Sequence, residues 1–368
     1  MDEGLDIVGL AVPFAAGTAC GIFILWQCEA AIFRSGLIFP IAGLSFCLLC
    51  LLLSAFLLKR PGKYIHYAVL FFCVGCFCAI NGSISGAKEG GGVAAAAEAS
   101  AGKIRAVIES IPYKDVETCG VVKALTTGDR SGLGSDTTGT FRRSGAAHLL
   151  ALSGLHLGII YLLLLWVAAP LGRSPAAGRL RSLLVVGLSG YYSIATGRSP
   201  SIMRAFYFIA LNETSKLLCL RQKPLRTLCT ALMLQLVLSP EIILSVGFQL
   251  SYLAMTGIAV LYPILKSWYP SEGKTDRLNI ALKIWNVTAL SLSCQVFTAP
   301  VVWYYFGTFP KYFLITNLLA LPLTTAVMLT SVAAIVLTAA GLCPACLISL
   351  NEQTVQTLIR LLTIISEM

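Results

Sequence analysis

The stretch HLLALSGLHLGIIYLLLLWVAA, residues 148–169, carries no charged side chain and is long enough to cross a bilayer, since a spanning helix needs about 20 mostly apolar residues. His148, Ser153, Gly154 and His156 all lie in its first half. A straight helix would put His148, Leu152 and His156 on one face. Ser153 and Gly154 instead predict a kink or a short unwound segment. Backbone that leaves the helix at membrane depth is tolerated where it is buried in protein or lines an aqueous cavity. The stretch therefore predicts a broken spanning helix at a pathway or binding site. A histidine pair bonded in a bundle interior beside a packing glycine is the other reading of the same residues.

Working outward, apolar runs of this kind recur along the chain, near 7–26, 35–58, 64–80, 183–196, 200–219, 227–240, 243–265, 284–305 and 313–341. The whole chain of 368 residues is 57% hydrophobic and 12% charged, against about 45–50% and about 25% in soluble domains. That excludes a soluble globular protein, a disordered chain and a fibrous repeat. The expected fold is an all-α polytopic membrane protein of about ten transmembrane helices, some broken, with short amphipathic helices at the surface. Residues 347–365 read as an eleventh span or an amphipathic helix, because Asn351, Glu352, Gln353, Gln356 and Arg360 interrupt them. The first span follows Met-Asp-Glu without the basic region or cleavage site of a signal peptide, and is expected to be retained.

The one sizeable polar stretch runs from Asn81 to Gly145. Ile104, Val107, Ile108 and Ile111 sit at helical spacing, and Val121, Val122 and Leu125 continue the pattern after Pro112. Two short amphipathic helices lying on the membrane are expected there, a flexible linker being the alternative. Four segments follow: a three-helix part (1–80), an extracytoplasmic part (81–145), a core (146–341) and a C-terminal helix (342–368).

Charge sets the orientation. Lys59, Arg60 and Lys63 lie in one loop, Arg173, Arg179 and Arg181 in a second, Lys216, Arg221, Lys223 and Arg226 in a third, and Lys266, Lys274, Arg277 and Lys283 in a fourth. All four fall on one side of the expected spans, and the positive-inside rule makes that side cytoplasmic, with the N-terminus inside. Residues 81–145 hold eight basic against seven acidic side chains, so the net charge of +10 is accounted for by topology. Most of the thirteen cysteines lie in apolar runs, where cysteine behaves as a small hydrophobe. The pairs Cys47/Cys50, Cys73/Cys76 and Cys343/Cys346 lack a His or carboxylate partner, so no metal, cofactor or disulfide framework is expected.

Polar groups recur inside other runs. YYSIATGRSPSIMRAFYFIAL (191–211) has a turn at Gly197 to Pro200 and then Arg204, which either snorkels to the outer interface or faces a cavity and holds an anion. Gln249 and Tyr252 lie in GFQLSYLAMTGIAVLYPIL (247–265), and Gln295, Pro300, Asn317 and Pro322 in residues 293–323. Singly each amide is interhelical glue; together, with Pro and Gly breaks, they suggest a polar route. Asp129 and Arg130 in TTGDRSGL (126–133) fall at its outer entrance, or form a cap or surface ion pair.

The segments TGDRSGL, GAAHLLALSGLHLGII, ATGRSPSIMRA, GFQLSYLAMTGI and APVVWYYFGTFPKYFLITNLLALPL resemble the competence family of ComEC-type DNA-internalisation channels, in its central membrane domain and in the same order. The resemblance implies a multi-pass protein of the bacterial inner membrane that passes one strand of incoming DNA to the cytoplasm during natural transformation. It implies single-stranded DNA and the lipid bilayer as partners, together with a DNA receptor and a cytoplasmic motor or DNA-binding proteins. Members typically add an OB-fold-like domain, and many a metallo-β-lactamase-like domain; neither has room or metal motif here, since His66, His148 and His156 are the only histidines. The expectation is the channel domain alone, from a short member or a longer chain, with nuclease and OB-like parts as possible separate partners. His148, Ser153, Gly154, His156, Arg204, Gln249, Gln295 and Asn317 would then line the path. A secondary transporter of a small anion is the alternative class. An intramembrane hydrolase using Ser153 and His156 is disfavoured because no third orienting group accompanies them, and no enzymatic activity is expected.

Overall fold

A computed structural model describes residues 7–32, 63–85, 91–150, 152–172, 174–220, 223–269, 280–307 and 311–368. Among them there are fourteen α-helices and no strand, and the protein is an all-α membrane protein. The expected span 35–58, the Cys47/Cys50 pair, and Lys59, Arg60, Arg173, Arg221, Lys274 and Arg277 of the basic loops lie outside the described residues.

Among the described residues four helices are long and apolar enough to cross a bilayer: Gly154–Leu171, Val246–Ser267, Ile280–Phe306 and Phe313–Ala339. Only 17% to 33% of each is buried inside the protein. Leu162, Trp166, Val260, Val296 and Leu319 all stand exposed, a surface that water would penalise and hydrocarbon accepts. Shorter apolar helices cover Gly9–Phe23, Tyr67–Ile80 and Pro224–Leu238.

The chain divides into two compact units. The first takes the described residues of 1–91 and 207–252. In it α1 (Ile7–Ile32) and α2 (Lys63–Ser85) cross with almost nothing between their backbones. A Cβ added to Gly17 would lie 1.9 Å from the Phe72 carbonyl oxygen, and one on Gly75 would lie 2.2 Å from that of Phe14. The Cys76 thiol donates to the Gly17 carbonyl at 3.0 Å, a hydrogen bond rather than a metal or redox pair. Small residues buy such approach in membrane helices, where apolar surface alone does not drive association. Buried Gln235 accepts from the Tyr252 hydroxyl at 3.0 Å.

The second unit takes residues 92–206 and 253–368. Here the polar stretch departs from the two expected surface helices. It forms three, α3 (Gly91–Ser110), α4 (Val116–Thr127) and α5 (Ser135–Arg143), and α4 is built into the core. Val121, Val122 and Leu125 are fully buried in one cluster with Ile108, Phe141, Leu149, Met328, Leu358 and Leu362. Asp115 caps α4 by accepting the Glu117 N–H at 3.0 Å, and Gly128, at φ 77°, closes it. Too small to bury itself, the segment is buried against α13 (Phe313–Ala339) and α14 (Ala345–Ser366).

α14 is amphipathic with polar groups on its buried side. Asn351 and Glu352 are both buried and make a clasp. Tyr113 Oη donates to Asn351 Oδ1 at 2.8 Å, Asn351 Nδ2 donates to Thr330 and Ser331 at 2.9 and 2.8 Å, and Glu352 Oε1 accepts the Lys114 N–H at 2.5 Å. Every polar group so buried needs such a partner. Pro300 and Pro322 do not end their helices, contrary to the breaks expected there: α12 (Ile280–Phe306) and α13 both run through them. Proline is tolerated inside spanning helices where neighbouring groups take up the carbonyl it frees.

Candidate functional site: a broken helix and its two loops

The interruption expected in 148–169 is present. α6 (Ala147–Leu150) stops, and α7 (Gly154–Val167) starts after Ser153, whose backbone is extended (φ −114°, ψ 168°). Ser153 is the N-cap: its Oγ accepts the Leu155 N–H at 3.3 Å, and His156 completes a reciprocal cap. Ser153 N–H donates to His156 Nδ1 at 3.0 Å, with Ser153 Oγ at the same distance. An imidazole nitrogen that accepts an N–H carries no proton, so the neutral ring holds its hydrogen on Nε2. That Nε2 is buried and finds no acceptor among the described residues, and the whole His156 side chain is 0% exposed. Loss of the cap tests this arrangement. Ser153→Ala is expected to cost about 1 kcal/mol of stability and to release the imidazole from its single tautomer, read from the nitrogen chemical shifts of labelled His156.

Gly154, the first residue of α7, is where Arg204 arrives. A Cβ there would lie 2.8 Å from Arg204 Nη2 and 3.4 Å from Ala205 Cβ. Arg204 sits about one turn into α9 (Pro200–Leu217), after the turn in which Gly197 and Arg198 take φ of 83° and 54°. Arg204 is half-buried and packs against the first turn of α7. It is also near enough to Cys294 on α12 to act on it electrostatically.

Four of the five segments quoted from the sequence meet at this break. Arg130 Nε donates to the Leu150 carbonyl at 3.2 Å, capping the end of α6. Gly128 lies against Leu152, whose Cδ1 would be 2.4 Å from an added Cβ. Tyr192, on α8 (Pro175–Ala195), donates to the Thr126 carbonyl at 2.7 Å. His148 Nδ1 is 3.1 Å from the Gly145 carbonyl, and His148 keeps an accessible face. Thr316 on α13 donates to the Ser144 carbonyl at 2.5 Å. Asp129 Oδ1 accepts the Ser131 N–H at 3.0 Å. Hydrogen bonds from Ser131, then the charges of Arg105 and Lys123, hold its carboxyl below the usual carboxylate range.

The remaining expected residues are Gln249, Gln295 and Asn317. Gln249 belongs to the first unit, where its amide donates to the Ile243 carbonyl at 3.0 Å; a local cap is what a polar side chain finds when a 3₁₀ turn (Pro240–Leu244) precedes its helix. Gln295 Nε2 and Asn317 Oδ1 lie in the second unit, buried and without hydrogen-bond partners among the described residues. Arg105, on α3, was not singled out by the sequence, because nothing separates it from the other charges of that stretch until the fold brings it to Asp129. Among the described residues no three His, Cys, Asp or Glu side chains come together as a metal site.

The part of the chain that builds this arrangement, from Leu125 through the break to the C-terminus, matches the family described as Competence protein over residues 125–368. The chain belongs to the competence protein family. This competence-family chain is also 27% identical over 209 residues to ComE operon protein 3 of Bacillus subtilis (strain 168), a match that covers 57% of this chain and 25% of that protein. It thus spans about a quarter of the length of that curated relative. No solved structure matches it.

Proposed function

We propose that this competence-family chain is the channel core that carries single-stranded DNA across the bacterial inner membrane in natural transformation, acting as a channel and not as an enzyme. The observation that carries the reading is the interrupted helix with Arg204 laid on its first residue, inside the region that matches the family. A polyanion crossing a low-dielectric layer needs fixed donors aimed at phosphates, and a helix N-terminus, a guanidinium and an imidazole N–H are such donors. His148, Ser153, Gly154, His156 and Arg204 form the narrow part of the path, with Gln295 and Asn317 contributing further amides. Asp129 and Arg130 stand at its outer mouth. Among the described residues Ser153 and His156 lack the third group that would make them a nucleophile and base: Nδ1 is occupied by a backbone N–H, and Nε2 has no partner there. The basic loops put the N-terminus in the cytoplasm and residues 81–145 outside. A DNA receptor outside, a motor or DNA-binding protein inside, and nuclease or OB-like domains on other segments or chains would complete the system.

A strain lacking the gene is expected to keep labelled DNA at its surface, to deliver none to the cytoplasm and to yield no transformants until the chain is restored. Normal transformation of that strain would overturn the proposal. So would saturable small-anion exchange by the purified chain in proteoliposomes with no dependence on DNA, the behaviour of the alternative transporter class.

A further inference from the structure

Above the break the second unit holds a pocket of about 370 Å³, lined among others by Glu98, Arg105, Thr127, Asp129, Thr196 and Gly197. Arg105 reaches two carboxylates there. Its Nη1 donates to Glu98 Oε1 at 3.1 Å, and its Nε lies 3.4 Å from Asp129 Oδ2. That second contact is an ion pair without a hydrogen bond, since the Nε–H has no hydrogen-bond partner among the described residues. Nearby, Lys123 pairs with Glu109. The mouth at rest thus carries one more carboxylate than cation, Glu98, Asp129 and Glu109 against Arg105 and Lys123, and Arg105 is the cation that lines the pocket. The floor of the pocket touches the break, because Gly128 rests on Leu152 and Arg130 holds the Leu150 carbonyl.

We propose that this pocket receives the incoming strand one nucleotide at a time, a backbone phosphate taking Arg105 from Asp129. The inference rests on the DNA reading above and adds a binding site and a positioning pair to it. The volume is at the low end of small-ligand sites, roughly 300–1,000 Å³, the scale of a single nucleotide. The Arg105 side chain is one-third exposed (33%) and so within reach of solvent, whereas Glu98 is 72% exposed and its pair is weakened by solvent screening. Phosphate offers the guanidinium the two-pronged contact that its present partners do not. Asp129 is the built-in competitor: it neutralises Arg105 when no strand is present and repels a phosphate that fails to engage it.

The two members of the pair thus have opposite expected effects, which a merely structural ion pair would not have. The test is binding of a fluorescein-labelled oligothymidylate of about ten nucleotides to the full chain in detergent across a salt series. Arg105→Gln is expected to weaken binding about tenfold and to lower the slope of log affinity against log salt by about 0.7, one phosphate contact. Asp129→Asn is expected to tighten binding about two- to fivefold with the slope unchanged. Wild-type affinity and slope in Arg105→Gln would overturn the proposal, as would weakened binding in Asp129→Asn or no binding by the parent chain. None of these results alters the uptake experiment on the deletion strain, so the pocket and the channel reading fail separately.

Discussion

Arg204→Ala cells are expected to hold labelled DNA outside and to deliver about 10- to 100-fold less of it to the cytoplasm, with the protein still inserted at its normal level. The magnitude is that of one charge-assisted hydrogen bond, about 1.5–3 kcal/mol, lost from a rate. Arg204→Lys keeps a point charge but loses the planar fork, so an intermediate loss is expected. His156→Ala removes the buried Nε2–H donor and is expected to fall in the same range. Gly154→Leu approaches the same contact from the other side: a Cβ alone would stand 2.8 Å from Arg204 Nη2, and a leucine would push the guanidinium off the first turn of α7. Wild-type delivery of DNA by both Arg204→Ala and His156→Ala would remove these residues from the path.

The second large effect is on stability. Gly17→Ala and Gly75→Ala are expected to destabilise the first unit by more than about 3 kcal/mol, because the added methyl meets a carbonyl oxygen of the facing helix and not a flexible side chain. Ordinary overpacking costs about 1–3 kcal/mol, and there the neighbours can shift; two backbones cannot move apart without losing the whole α1–α2 contact. Gly9→Ala on the same helix is the control. Nothing lies within 4 Å of its added Cβ, so the helix propensity of alanine is expected to make it neutral or stabilising by up to about 1 kcal/mol. Thermal unfolding of the three variants in detergent measures the difference. Equal midpoints for Gly9→Ala and Gly17→Ala would show that the close crossing is not what holds the unit together.

Much of this protein is legible from local pattern. Apolar runs and loop charges mark it as an all-α membrane protein because hydrocarbon requires every backbone group to be satisfied within a helix. Ser153 and Gly154 marked the break, since a serine N-cap and the residue after it are local chemistry, and the turn before Pro200 is visible for the same reason. Pro300 and Pro322 suggest interruptions, yet both helices continue through them, as spanning helices can.

What the sequence determines alone is the class of the fold, the rough place of its helices and the position of the break, all of which depend on residues within a few turns of one another. Tertiary structure decides the rest. It buries α4 in the core when its pattern alone reads as a surface helix. It uses Asn351 and Glu352 as a clasp, sends Gln249 to a local carbonyl, and sets Arg204 on Gly154 and Arg105 beside Asp129. These are contacts between groups distant in the chain, and their partners are chosen by which helices pack together. Neither hydropathy nor spacing records that choice.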